Sequence, residues 1–505
     1  MKNKIGYAWL AACLLLTGLS ARVSAEVRVS AIFGSNMVLQ RAMRVPVWGT
    51  AERGEHVYVS FAGQTLTTRA AEDGRWMVRL KPMKASTEPR TLTVKGTNVI
   101  ELENVLVGEV WVCSGQSNME LTPERGLINP EPEIAAARWP GIRMLLVQKV
   151  VAEQPLDTLS GTWAECTPEM MRKFSAAAYF FGREIHRRVG VPVGLVGIYY
   201  GGSNGQAWVR REALEADPEL NTYVMQWDAR LKTAQAERQP GGQRPTTNDP
   251  VTSRYRPSNF YNGMVAPLLP FAIRGVIWYQ GEANTSNVRD AGLYAKLLRA
   301  LIADWRAQWG EGDFPFIFVQ LPGSEPRYPE PTDSAWARLR ESQQKALVLK
   351  NTAMAVTIDI GEGANVHAHN KRDVGLRLAA LALNKVYGQR GVACEGPLFK
   401  GMEVKNGQAV LSFDNVNGGL IVRNQDGLKG FAIAGADRNF VWAEARIVGD
   451  KVMLASPQVR EPVAVRYAWA DNPEVSLFNK AGLPAAPFRT DDWPAVKITN
   501  PRASP

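Results

Sequence analysis

A serine hydroxyl becomes a useful nucleophile only when the chain lifts it clear of its surroundings and places a base beside it. The segment Val112-Cys113-Ser114-Gly115-Gln116-Ser117-Asn118-Met119-Glu120-Leu121 has the form for the first requirement. The apolar run Asn104 to Trp111 reads as a buried strand that enters a Gly-Gln-Ser-Asn turn, which would raise Ser117 from the sheet end. A serine capping a helix that starts at Met119 is the plainer reading of this segment alone.

Three further segments share the pattern of a strand ending in a polar, glycine-bearing turn. Tyr199-Tyr200-Gly201-Gly202-Ser203-Asn204 follows the strand Gly194 to Ile198, and its glycines let backbone N–H groups approach a developing oxyanion. Trp278-Tyr279-Gln280-Gly281-Glu282-Ala283-Asn284 follows Gly275 to Ile277, and the amide of Gln280 or Asn284 could donate to the same oxyanion. Asp359-Ile360-Gly361-Glu362-Gly363-Ala364-Asn365-Val366-His367-Ala368-His369 holds two of the four histidines. A base with a pKa near neutrality is needed, which makes His367 the partner expected for Ser117. His56 falls in a strand-rich region, and His186 falls on a helix beside Arg187 and Arg188. Tyr199, Tyr200, Trp208, Trp278 and Tyr279 lie near these motifs as possible sugar-stacking walls or as core.

These motifs need a scaffold of alternating strands and helices. From Glu26 to Asn104 short β-branched runs broken by turns (Val57 to Phe61, Trp76 to Leu80, Thr91 to Val94) predict a β-sandwich. From 105 to 395 strands alternate with helices: a helix over Ala176 to Val189, a strand over Pro192 to Tyr200, a helix over Tyr294 to Trp309, a strand over Phe314 to Leu321 and a helix over Asn370 to Tyr387. That rhythm predicts an α/β domain with a parallel sheet. Residues 396–505 return to strands, at Ala409 to Phe413, Gly430 to Ala434, Val452 to Ala455 and Val463 to Ala468. The polar stretch from Glu212 to Pro257, with Gln239 to Pro245 at its centre, reads as a helix and a mobile loop bordering the site.

Length and composition agree with several folded domains: 505 residues, 45% hydrophobic and 21% charged. Residues 1–25 read as a signal peptide, with Lys2 and Lys4 before an apolar core and Val23-Ser24-Ala25 as the cleavage site. Export is the expectation, with a lipid anchor at Cys13 as the alternative. Loss of Lys2, Lys4 and Arg22 with that segment takes the formal charge from +10 to +7. No dense basic run interleaved with aromatics points to nucleic acid, and no later run is long enough for a membrane span. Cys113, Cys166 and Cys394 remain, read as small buried hydrophobes or as one disulfide with a spare thiol. Nothing in the sequence sets the oligomeric state.

The chain resembles the sialate O-acetylesterase family of the SGNH hydrolase superfamily. Besides Gly115 to Glu120 and Trp278 to Asn284, the resemblance rests on Phe174 to Arg183, Tyr261 to Leu268, Arg340-Glu341-Ser342-Gln343, Gly482-Leu483-Pro484 and Pro487 to Asp491. It implies a flavodoxin-like three-layer catalytic domain, hydrolysis of acetyl esters on sugars, and no metal or organic cofactor. It also implies Ser117 as nucleophile, His367 as base, and an oxyanion hole from the N–H groups of Ser117 and Gly202 with an amide of Gln280 or Asn284.

One position departs from the family pattern. Similar proteins place aspartate two residues before the histidine, as in Asp-Ile-His-Pro, whereas this chain has Asn365-Val366-His367-Ala368. An amide carries no charge to stabilise an imidazolium, and the corresponding loss in a serine protease lowers turnover by about 10⁴. Three outcomes follow: Glu362 or Asp359 orients His367, a backbone carbonyl does so in a Ser–His dyad, or activity is impaired. His369 stands where the pattern often has lysine and could line the substrate mouth or cap the next helix. The substrate expected is an acetylated sialic acid, with acetylated xylan or pectin as the alternative. A glycan-binding protein with a degraded esterase site is the alternative of another class.

Overall fold

The structure is a computed structural model that describes residues 26–237, 249–250, 253–423 and 425–494. The leader expected at residues 1–25 and the loop expected at 239–245 lie outside the described residues.

One strand, Val99–Gly115, organises the molecule, and its sequence explains how. Its first half alternates exposed and half-buried positions and pairs antiparallel with Ser86–Lys95. From Val105 onward every residue is buried, as a strand with covered faces must be. This second half pairs in parallel with Val193–Tyr199 on one side and Gly275–Tyr279 on the other. The boundary expected at residue 104 therefore falls inside a continuous strand. Asn104 marks the change, with φ of 56° and its side chain bonded to Asn36, Glu165 and the buried Arg143.

The sheet runs in the order Trp163–Cys166, Trp139–Leu146, Val193–Tyr199, Val99–Gly115, Gly275–Tyr279, Phe316–Gln320, Thr352–Val356. All neighbours in it are parallel except the antiparallel edge strand Trp163–Cys166. The chain leaves Val99–Gly115 for Trp139–Leu146, returns through Val193–Tyr199, and then crosses to Gly275–Tyr279. The order thus reverses around Val99–Gly115, and such a reversal opens a crevice at the carboxyl ends of the strands.

Helix Ala176–Val189 starts at Ser175, whose hydroxyl accepts from the Ala178 N–H at 3.0 Å, and stops at Gly190 in the left-handed conformation. Its small buried face admits the helix Lys371–Lys385 so closely that a Cβ on Gly375 would sit 2.5 Å from the Ala177 carbonyl. One continuous core runs from Val27 to Leu383, and a second joins Ile358 to the strands between Ala409 and Phe488. The two are tied through helix Ala335–Lys345. Its buried Arg340 donates to the carbonyls of Leu321, Pro322, Ala470 and Asp471, and Glu341 pairs with Arg489 at 2.8 Å. The Arg-Glu-Ser-Gln motif is accordingly a brace between regions. No helix among the described residues is long and apolar enough to cross a membrane.

Candidate active site

Three strand ends converge on Ser117. Gln116 N–H donates to the Tyr279 carbonyl at 2.9 Å, and Tyr200 N–H donates to the Gly115 carbonyl at 3.1 Å. The strands meet so tightly that a Cβ on Gly115, with φ of 140°, would lie 2.0 Å from the Tyr279 oxygen. Only glycine fits there. The chain then turns into the short helix Ser117–Glu120, which leaves Ser117 half-buried at its first position.

His367 reaches Ser117 from the loop between strand Thr352–Val356 and helix Lys371–Lys385. Its Nε2 lies 2.9 Å from the Ser117 Oγ. With the ring proton on Nδ1, Nε2 accepts the hydroxyl proton, which is the geometry of a general base and its nucleophile. Burial, reinforced by the charges of Lys371 and Arg125, holds the imidazole below the usual histidine pKa. It is therefore the free base at neutral pH.

None of the three residues expected to orient His367 touches its ring, and each has a different task. Asn365 bonds the main chain of His367: Oδ1 accepts from its N–H at 2.9 Å, and Nδ2 donates to its carbonyl at 3.0 Å. Glu362 is engaged by the N–H and Nδ1 of His369, at 2.7 and 3.0 Å, and by Asn365 Nδ2. Those bonds outweigh the effect of burial and keep its carboxyl below the ordinary value. Asp359 is taken by Arg377 at 2.6 Å. No side chain or carbonyl among the described residues accepts from His367 Nδ1. The ring is placed through its main chain, because the Val366 carbonyl also accepts from Asn118 Nδ2 at 3.0 Å and the Ala368 carbonyl from Lys371 Nζ.

The oxyanion side is also partly revised. Ser117 N–H and Gly202 N–H donate to no protein acceptor among the described residues, and Gly202 adopts a left-handed φ of 71°. The neighbouring Gly201 N–H is held at 2.6 Å by Glu120 Oε2, whose other oxygen takes Lys149. Gln280 and Asn284, by contrast, are buried and committed elsewhere. Gln280 Nε2 donates to Gln116 Oε1, the Ser203 carbonyl and Asn284 Oδ1, while Asn284 Nδ2 donates to Gln206. These amides stiffen the two turns and offer the oxyanion nothing.

Of the expected wall residues, Tyr200 stacks on Phe260 with ring centres 4.3 Å apart, half-exposed beside the site. Trp278 is fully buried among Trp208, Trp305 and Phe316, so it is core rather than wall. Tyr199, Trp208 and Tyr279 are buried too. His369 turns to Glu362. Cys113, Cys166 and Cys394 form no disulfide, and burial pushes the Cys166 thiol up to about 12. No group of three or more His, Cys, Asp or Glu among the described residues could hold a metal ion.

Two residues that the motifs did not single out belong to the site. Glu282 is half-buried behind the nucleophile turn with a shielded carboxyl, accepts from Asn118 Nδ2 at 2.5 Å, and has that carboxyl pushed up by burial. Lys371, buried under the His367 loop, is lowered to about 8 by burial. Glu282 stands inside Trp278 to Asn284, but an acid next to glycine reads as a surface loop, and nothing local signals its burial.

The model of a family described as carbohydrate esterase, sialic acid-specific acetylesterase matches residues 250–384. The sialate O-acetylesterase of Rattus norvegicus is 30% identical across 94% of this chain and 97% of its own length. That of Homo sapiens is 29% identical, across 91% and 92%. Among solved structures, a carbohydrate acetylesterase from Xanthomonas citri is 37% identical and covers 92% of this chain and 100% of its own, with a TM-score of 0.81.

Proposed function

Since this chain belongs to the sialate O-acetylesterase family and is a carboxylic ester hydrolase that cleaves O-acetyl groups, we propose that Ser117 and His367 carry out that cleavage as a dyad. Ser117 Oγ attacks the acetyl carbonyl while His367 Nε2 takes its proton. The oxyanion lies against the N–H groups of Ser117 and Gly202, where one such donor is worth about 2.7–4 kcal/mol. The imidazolium then protonates the departing sugar oxygen and leaves an acetyl-Ser117. Water, deprotonated by the same nitrogen, releases acetate and restores the serine. The observation that carries this reading is the 2.9 Å separation of Nε2 and Oγ at a three-strand junction.

The same proposal covers the finer expectations. The catalytic region, residues 105–395, is an SGNH-type domain of flavodoxin-like three-layer form, residues 26–104 are a β-sandwich, and residues 396–505 are a separate β-rich region. The second core, which joins Ile358 to the strands between Ala409 and Phe488, supports the last division, and the change of burial and partner at Asn104 within strand Val99–Gly115 supports the first. Residues 1–25 direct export, which N-terminal sequencing of the secreted protein tests.

The substrate is an O-acetylated sialic acid. Acetate release from acetylated sialic acid, xylan and pectin, compared under one set of conditions, tests this choice. Preference for neutral xylan would remove sialic acid as the substrate while leaving the dyad untouched.

A further inference from the structure

Beside the Gly201–Gly202 turn lies a cavity of about 420 Å³, bounded by Asn204, Gln206, Trp227, Arg230 and Tyr255 among others. That volume falls within the roughly 300–1,000 Å³ of small-molecule sites. The segment that follows the Gly201–Gly202 turn gives its wall two amide side chains. Gln206 accepts from Asn284 with Oε1 and leaves its Nε2 without an acceptor among the described residues. Asn204, 7% exposed, fixes the Tyr255 carbonyl with Nδ2 and has a buried Oδ1 without a donor among the described residues. An unmatched donor and an unmatched acceptor in one wall suit sugar hydroxyls.

The charges around the nucleophile and this cavity are uneven. Lys149 is neutralised by Glu120, and Lys371 is buried against the Ala368 carbonyl. Arg289 is paired with Asp290, the cavity's carboxylate. Arg254 and Arg230, both exposed, have no carboxylate partner among the described residues. Arg254 is anchored by Tyr255, donating to its hydroxyl at 3.1 Å, and a Cβ on Gly202 would lie 3.2 Å from its guanidinium carbon. Arg230 sits over the ring of Trp227, 5.4 Å from its centre.

We propose that this cavity, together with Arg254 between its Tyr255 wall and Gly202, is a subsite for an acidic sugar, with Arg254 taking the carboxylate, Arg230 supplying a second positive charge, and Gln206 and Asn204 meeting ring hydroxyls. The proposal rests on the sialic acid reading and adds to it the residues that select the acid. A planar guanidinium held in place by an aromatic ring is suited to bidentate recognition of a carboxylate.

The test compares kcat/KM for O-acetylated sialic acid and for its methyl ester, in the wild type and in Arg254→Gln, Arg254→Lys and Arg230→Gln. Wild type should favour the free acid by about tenfold, mainly through KM, as loss of a charged hydrogen bond predicts. Arg254→Gln should bring the ratio towards one, Arg230→Gln should reduce it, and Arg254→Lys should keep part of it. Equal rates for acid and methyl ester in the wild type, or a preference unchanged in both Gln variants, would overturn the subsite while leaving the esterase reading intact. Wild type that cleaves an aryl acetate but neither sugar would instead overturn the sialic acid reading and the subsite with it. Thermal melting checks that each variant is folded, and the wild-type ratio alone decides if one is not.

Discussion

Asn365 grips His367 at both ends of its main chain, accepting from the N–H at 2.9 Å and donating to the carbonyl at 3.0 Å, and leaves the imidazole Nδ1 untouched. A carboxylate at this position would lose the donated bond and face both the His367 carbonyl and Glu362, which now accepts from Asn365 Nδ2 at 3.2 Å. Asn365→Asp should therefore lower kcat on an aryl acetate by about tenfold, the effect of one lost hydrogen bond of this kind. A rise of tenfold or more would mean that the new acid has swung to Nδ1 and that the dyad works below its capacity.

Asn118 joins the nucleophile turn to the histidine loop, donating to the shielded carboxyl of Glu282 and to the Val366 carbonyl. Asn118→Ala should destabilise the protein by about 1–3 kcal/mol, since it strands the shielded Glu282 carboxyl. It should also cut kcat by roughly tenfold, and chemical denaturation with steady-state kinetics reads both. Because burial pushes the Glu282 carboxyl towards its neutral form, Glu282→Gln should cost far less than Glu282→Ala. Equal losses in the two would refute the pairing with Asn118.

Burial, with Lys371 and Arg125, lowers the His367 pKa. Protonated imidazole cannot take the Ser117 proton, so activity is absent below this pKa and appears as pH rises through it. The acid limb of kcat/KM should have its midpoint below the ordinary histidine value of about 6.5 and stay flat to neutrality. Lys371→Met removes a nearby positive charge and should move that midpoint upward. A midpoint unmoved or lowered in this variant would contradict the electrostatic assignment.

Trp278 and Tyr200 separate core from wall. Trp278 is fully buried and its indole N–H meets Tyr294 at 3.3 Å, so Trp278→Ala should cost about 3–5 kcal/mol of stability. Tyr200→Ala should leave the melting temperature nearly unchanged and raise KM for the acetylated sugar several-fold. The reverse pattern would exchange their assignments.

Elements with a strong local pattern were legible from the sequence. Helix Ala176–Val189 has the expected bounds, and strand Val193–Tyr199 lies within the expected Pro192 to Tyr200. The strands Trp139–Leu146 and Thr352–Val356 were not read. The first carries Pro140, Gly141 and a buried Arg143 whose guanidinium is met by Asn36, Asn104 and Glu165, all distant in sequence. The second is five residues long. The approach of His367 to Ser117, 2.9 Å in the structure, was legible because a hydroxyl and an imidazole that could act together are recognisable by residue type. Gln280, Asn284, Glu362 and Asp359 were misplaced because an amide or carboxylate takes its task from long-range partners, here Gln116, Gln206, His369 and Arg377, which spacing does not disclose.

Acetate release from O-acetylated sialic acid by wild type and by Ser117→Ala, with folding verified by thermal melting, tests the central claim most directly. Ser117 as nucleophile predicts a fall in kcat on the order of 10⁴-fold or more. A Ser117→Ala protein that keeps its activity within tenfold of wild type would contradict it.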